Sequence, residues 1–120
     1  MKKVLVVDDE PVVRAVVRDV LCEEGYAVVE APDGHTMLEI LAREDPDLVL
    51  MDVMMPGVDG REAYRILRSR ENMPDVPVVM MSAAVQADRV DPSIAAFLQK
   101  PFDLDRLMKT VEQLIGPPDA

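Results

Sequence analysis

Five short apolar runs alternate with segments whose apolar residues recur at helical spacing, and this alternation constrains the fold more than any other feature. The runs are "VLVV" at 4–7, "YAVVE" at 26–30, "DLVLM" at 47–51, "VPVVMM" at 76–81 and "AFLQ" at 96–99. Strands separated by helices favour parallel pairing, because parallel neighbours need a long crossover and not a tight turn. Runs with little polar alternation, such as "LVLM" and "VVMM", fit central strands covered on both faces. The reading is a five-stranded parallel sheet with helices on both sides. A chain of 120 residues with 49% hydrophobic content suffices for one such core.

The helices have local signals of their own. In the first, Pro11 suits an opening position and Gly25 a stop, with Val12, Val13, Val16, Val17, Val20 and Leu21 forming an apolar face opposite Arg14, Arg18, Asp19 and Glu23. Asp33 can cap a second helix carrying Met37, Leu38 and Leu41. A third is predicted from about Gly60 to Arg70, burying Ala63, Ile66 and Leu67. The last follows Asp103 and aligns Leu104, Leu107, Met108, Val111, Leu114 and Ile115 before "GPPD" closes it. Residues 1–116 are expected to form the domain, and 117–120 a tail or the start of a linker.

Charge narrows the functions. The net charge of −10 has the wrong sign for gripping a phosphate backbone or an anionic bilayer, so neither direct nucleic-acid nor membrane binding is expected. With no signal peptide or membrane span, a cytoplasmic location is the expectation. Cys22 falls in a helical apolar pattern and reads as a buried thiol. His35, at the start of a helix and far in sequence from the acids, reads as a solvated side chain.

Open parallel sheets place their sites at the carboxyl ends of the strands, where strand order reverses. Those ends are Asp8-Asp9, Asp52, Ser82 and Lys100, so three carboxylates, one hydroxyl and one ammonium should meet on one rim. The second strand ends at Glu30-Ala31 with no matching set and suits an outer edge. Clustered carboxylates repel and need a cation, and hard oxygen ligands suit magnesium, with manganese as the alternative. Such a pocket can receive a phosphoryl group, with Asp52 as the carboxylate that attacks phosphorus. Glu10, next to these acids, reads as a residue favoured by the helix dipole.

The motifs "VLVVDDEP", "LVLMDVMMPGVDG", "VVMMSA" and "FLQKPF", in this order and spacing, resemble the receiver domains of two-component response regulators over essentially the full chain. The resemblance implies a flavodoxin-like, three-layer αβα doubly wound sandwich of strand order 2-1-3-4-5. Position by position, it implies Asp9 as a direct magnesium ligand, Asp8 acting mainly through water on the metal, and Asp52 as both phosphoacceptor and ligand. The backbone carbonyl of Met54 would complete the protein's share of the coordination. Ser82 would bond the phosphoryl oxygen, Lys100 would pair with it, Phe97 would be the switch aromatic, and the Lys100-Pro101 peptide would be cis. Implied partners are a histidine kinase or phosphotransfer protein and an unknown downstream protein target, with the chain a monomer or weak dimer.

Two departures from the family pattern bear on behaviour. Met54 and Ala84 stand where polar side chains help orient the hydrolytic water, so a slowly decaying phosphoryl group is expected. The interval from Ser82 to Lys100 is short and holds Asp91-Pro92, where proline disfavours helix in the residue before it. The helix between the fourth and fifth strands should therefore be short or irregular, and with it the usual output and dimerisation face. Two other functions compete. An Asp-nucleophile, metal-dependent phosphatase would want a second acid where Met54 stands, and a phosphate-independent interaction module would have no use for the set Asp8, Asp9, Asp52, Ser82 and Lys100.

Overall fold

A computed structural model describes residues 1–71 and 75–119. Ala120, the end of the expected tail, lies outside the described residues. The strands are β1 (Lys3–Val7), β2 (Ala27–Ala31), β3 (Leu48–Asp52), β4 (Val78–Ser82) and β5 (Ala96–Gln99), all parallel, in the order β2-β1-β3-β4-β5. The helices are α1 (Pro11–Glu24), α2 (Gly34–Glu44), α3 (Gly60–Ser69) and α4 (Leu104–Ile115).

Successive strand residues face opposite sides of the sheet, which divides the apolar runs between two cores. Leu5, Val7, Val49, Met51, Val78 and Met80 pack with α2 and α3 on one side. Val4, Val6, Leu48, Leu50, Val79 and Met81 pack with α1 and α4 on the other. The result is the expected three-layer sandwich. Its central strands β3 and β4 are buried along their whole lengths, as the unbroken apolar runs require.

Helix ends follow the local chemistry. Gly25 ends α1 at φ 107, a left-handed conformation that glycine adopts without the steric penalty of a Cβ. Asp33, Asp59 and Asp103 each accept a backbone N–H at the start of α2, α3 and α4. The helix expected between β4 and β5 is reduced to a single 3-10 turn, Ala87–Arg89. Asp91-Pro92 follows one residue after that turn, past Val90, and Ile94 and Val85 pack on the α2–α3 core without helical structure.

Three expectations about exposure need correction. Cys22 is exposed, because α1 turns Val17 and Leu21 inward and the next residue is rotated about 100° away from that line. Val12 and Val16 are likewise exposed, at 76% and 46%, since one helix face on a sheet has room for a narrower stripe than the sequence offers. Leu104, at the opening of α4, is 41% exposed.

Candidate functional site

Register brings the polar residues together. Val7 pairs with Met51, Asp52 with Met81 and Ser82 with Gln99. The ladder then extends past the strand ends: Asp8 N–H donates to Ala31, Val53 N–H to Met81, and Lys100 N–H to Ser82. Four strands thus deliver Asp8, Asp52, Ser82 and Lys100 to one rim. Behind Asp52 the chain enters α3 at very close range, where a Cβ on Gly60 would lie 2.5 Å from the Asp52 carbonyl oxygen. Only glycine fits that approach, which holds the end of β3 in place.

Asp8 is fully buried, Asp52 is 5% exposed and Ser82 1% exposed. Lys100 Nζ donates to Asp8 Oδ2 at 3.1 Å and to Asp52 Oδ2 at 3.2 Å, bridging the two carboxylates. Burial pushes the Asp52 carboxyl above its usual range, the Lys100 charge opposes that, and the Asp8 charge adds to it. For Lys100, burial favours the neutral amine, but the hydrogen bond and charge of Asp8, together with Asp52, outweigh it and raise the ammonium above its ordinary value.

The third acid of the cluster is Glu10. Carboxylate oxygens of Asp8, Glu10 and Asp52 all lie within 4.8 Å of one another. Glu10, exposed, stands at the N-cap of α1 as its helix-dipole reading requires, makes no side-chain capping bond, and also lies beside Asp8 and Asp52. Asp9, half-buried, does not belong to that group. Three carboxylates against one ammonium leave an uncompensated negative charge, and an all-oxygen donor set suits magnesium. The residues present therefore fit the ion.

Ser82 Oγ accepts the N–H groups of Ala84 at 3.2 Å and Val85 at 2.9 Å, which leaves its own proton to donate. Met54 N–H donates to Asp52 Oδ1 at 3.3 Å, while the Met54 side chain is 49% exposed. Phe97 is half-buried against the α2–α3 core, and the Lys100-Pro101 peptide is cis. His35 is exposed, 3.4 Å from Glu39. An apolar groove of about 480 Å³ flanks the site, lined by Val12, Val13, Val16, Pro101, Phe102 and Leu104 with Glu10 and Lys100 at its margin.

Sequence reasoning missed one supporting group. Arg14, assigned to the outer face of α1, donates from Nη1 to the Asp8 carbonyl at 2.6 Å and from Nε to Glu30 Oε1 at 3.1 Å. Arg18 holds the other oxygen of Glu30 at 3.2 Å. The available signal was a pair of arginines four residues apart on a helix and one acid closing the edge strand.

Comparison with known proteins identifies the family. The response regulator receiver domain family matches residues 4–112. Response regulator MprA of Mycolicibacterium vanbaalenii is 38% identical over 117 residues, covering 94% of this chain and 50% of that protein. The chain thus spans about half the length of that relative. Sporulation initiation phosphotransferase F of Bacillus subtilis is 31% identical over 118 residues, covering 95% of this chain and 94% of that protein. Among solved structures, the receiver domain of a sensor histidine kinase from Pseudomonas aeruginosa, with magnesium coordinated in its active-site cleft, superposes with TM-score 0.85. It is 33% identical and covers 96% of this chain and 98% of that one. The response regulator TrrA from Thermotoga maritima, in complex with magnesium and beryllofluoride, gives TM-score 0.83 at 33% identity, covering 95% and 99%.

The chain belongs to the response regulator receiver domain family of two-component signalling. Its relatives of this family are response regulators, signalling proteins of which the receiver is one module. Among the described residues no helix is long and apolar enough to cross a membrane.

Proposed function

We propose that this receiver takes a phosphoryl group onto Asp52 from a histidine kinase, a phosphotransfer protein or a small phosphodonor, and changes conformation to control a protein partner. The observation that carries this reading is the bridge of Lys100 Nζ between the buried carboxylates of Asp8 and Asp52, with the exposed Glu10 completing a three-carboxylate cluster. An oxygen of the Asp52 carboxylate attacks phosphorus. A new O–P bond forms as the bond to the donor atom breaks, and the electron pair of that bond leaves with the donor. Lys100 and the Ser82 hydroxyl hold phosphoryl oxygens as their charge grows. Asp52, Asp8 or Asp9 and the Met54 carbonyl, with Glu10 alongside, would hold magnesium there, and the bound ion would supply further charge neutralisation.

The groove beside the site supports a protein donor. Val12, Val16 and Leu104 are exposed apolar side chains next to the acids, and burying them is what a docking helix would gain. The switch would follow from Ser82 exchanging its bonds to Ala84 and Val85 for one to the phosphoryl group, with Phe97 turning inward. Residues 1–116 would form the receiver, in the cytoplasm, as a monomer or weak dimer. Intact-mass analysis after incubation with magnesium and a small acyl phosphate tests the core of this reading. One added phosphoryl group in the wild type, absent in Asp52→Ala, is the expected result. An unmodified wild type, or a modified Asp52→Ala, would refute it.

A further inference from the structure

We infer that Arg14 is a positioning residue for the acid cluster, acting through the backbone of Asp8. This rests on the reading of that cluster as a magnesium site. Every polar group of Asp8 is engaged: its N–H donates to Ala31, Oδ1 accepts from Glu10 N–H at 2.9 Å, and Oδ2 accepts from Lys100. The remaining group, its carbonyl, accepts from Arg14 Nη1 at 2.6 Å. That bond orients the peptide joining Asp8 to Asp9, and so the direction in which Asp9 and Glu10 leave the strand. Glu30 at the end of the edge strand grips the same guanidinium at 3.1 Å, and Arg18 grips Glu30 in turn. Both partners are largely sheltered, with Arg14 19% and Glu30 30% exposed at the side chain. A planar fork can hold a carbonyl and a carboxylate at once, which a lysine ammonium on a flexible stem does poorly. Mutual repulsion would otherwise splay the three carboxylates, so the clamp keeps the turn in the shape that brings Glu10 within reach of Asp52.

Charge and geometry predict opposite outcomes here. Arg14 is a cation close to a site for a cation, so by charge alone its removal would tighten magnesium binding. Positioning predicts weaker binding. The experiment is calorimetric titration of magnesium alone into wild type, Arg14→Gln, Arg14→Lys and Glu30→Gln, well below each melting temperature, with amide spectra to follow Asp9 and Glu10. Arg14→Gln should weaken magnesium binding about ten-fold, Arg14→Lys should recover little of that, and Glu30→Gln should lose less because the bond to Asp8 survives. Unchanged or tighter binding in Arg14→Gln overturns the inference, as does a wild type that binds no magnesium. Should Arg14→Gln fail to fold, Arg14→Lys, which keeps the charge and loses the planar fork, decides alone, and wild-type affinity there is the overturning result. Phosphorylation does not enter this test, so a protein that binds magnesium but never modifies Asp52 would refute the proposed function and leave the positioning role standing.

Discussion

The Tyr64 hydroxyl lies 2.8 Å from Ser93 Oγ, joining the buried side of α3 to the irregular segment between β4 and β5. Ser93 Oγ donates onward to the Asp91 carboxylate at 2.7 Å, so Tyr64 is the donor in a short relay. The relay stands in for the helix that this segment lacks. Tyr64→Phe should cost about 1 kcal/mol of stability and speed hydrogen exchange across residues 83–96 more than elsewhere. Ser93→Ala should do the same, and combining the two should add little. Exchange rates in that segment that match the wild type would show that packing of Val85 and Ile94 alone holds it.

The acid cluster should be a stability burden until a metal binds. In chelator-treated protein, Asp52→Asn removes one of three clustered carboxylates while Lys100 keeps its bond to Asp8. We expect the variant to be more stable than the wild type by on the order of 1 kcal/mol, because it relieves repulsion and the burial of a charge. Saturating magnesium should reverse the order, since an ion at 100 times its dissociation constant adds about 2.7 kcal/mol to whichever protein binds it. Thermal melts with and without magnesium check both halves.

Asp33 caps α2 through a hydrogen bond from Thr36 N–H at 2.7 Å. That backbone bond, with the Thr36 hydroxyl, holds its carboxyl below the usual carboxylate range. A depressed folded pKa contributes stability that is fully present above the unfolded value, near about 4, and is lost as pH falls through the folded one. Asp33→Ala should therefore destabilise by about 1 kcal/mol at neutral pH. Its difference from the wild type should shrink steadily in urea titrations carried out at progressively lower pH. A difference that stays constant down to strongly acidic pH would mean that the cap bond does not depend on the ionised carboxylate.

Hydrolysis of a phosphoryl group on Asp52 should be slow. Met54 and Ala84 are both exposed, and neither side chain can hydrogen-bond an attacking water. The phosphorylated protein should outlast seconds in magnesium buffer, and Met54→Asn should shorten its lifetime several-fold. Decay followed by intact mass measures both. A lifetime of seconds in the wild type would contradict the expectation.

Much of this was readable from local chemistry. Buried parallel strands demand unbroken apolar runs, and crossover helices demand amphipathic spacing. The sheet, the helix cap at Asp33, the start of the last helix after Asp103 and the strand-end residues Asp8, Asp52, Ser82 and Lys100 were accordingly legible. So was the loss of helix before Asp91-Pro92, because proline acts on its immediate neighbour. Burial on α1 was less so. Val12, Val13, Val16 and Val17 look equivalent in sequence, yet Val17 is buried and Val12 is 76% exposed, since the angle at which the helix meets the sheet chooses the stripe.

What the sequence determined by itself was periodicity and punctuation, which depend on residues a few positions apart: a parallel αβα sheet with its polar residues at the ends of four strands. Only the tertiary structure decided which of those groups touch. Glu10 rather than Asp9 joins Asp8 and Asp52, Arg14 reaches the Asp8 carbonyl, and Tyr64 reaches across 29 positions to Ser93. The physical reason is that hydrogen bonds act over about 3 Å, and which donors and acceptors come that close is settled by packing angles and side-chain rotamers that no spacing in the chain records.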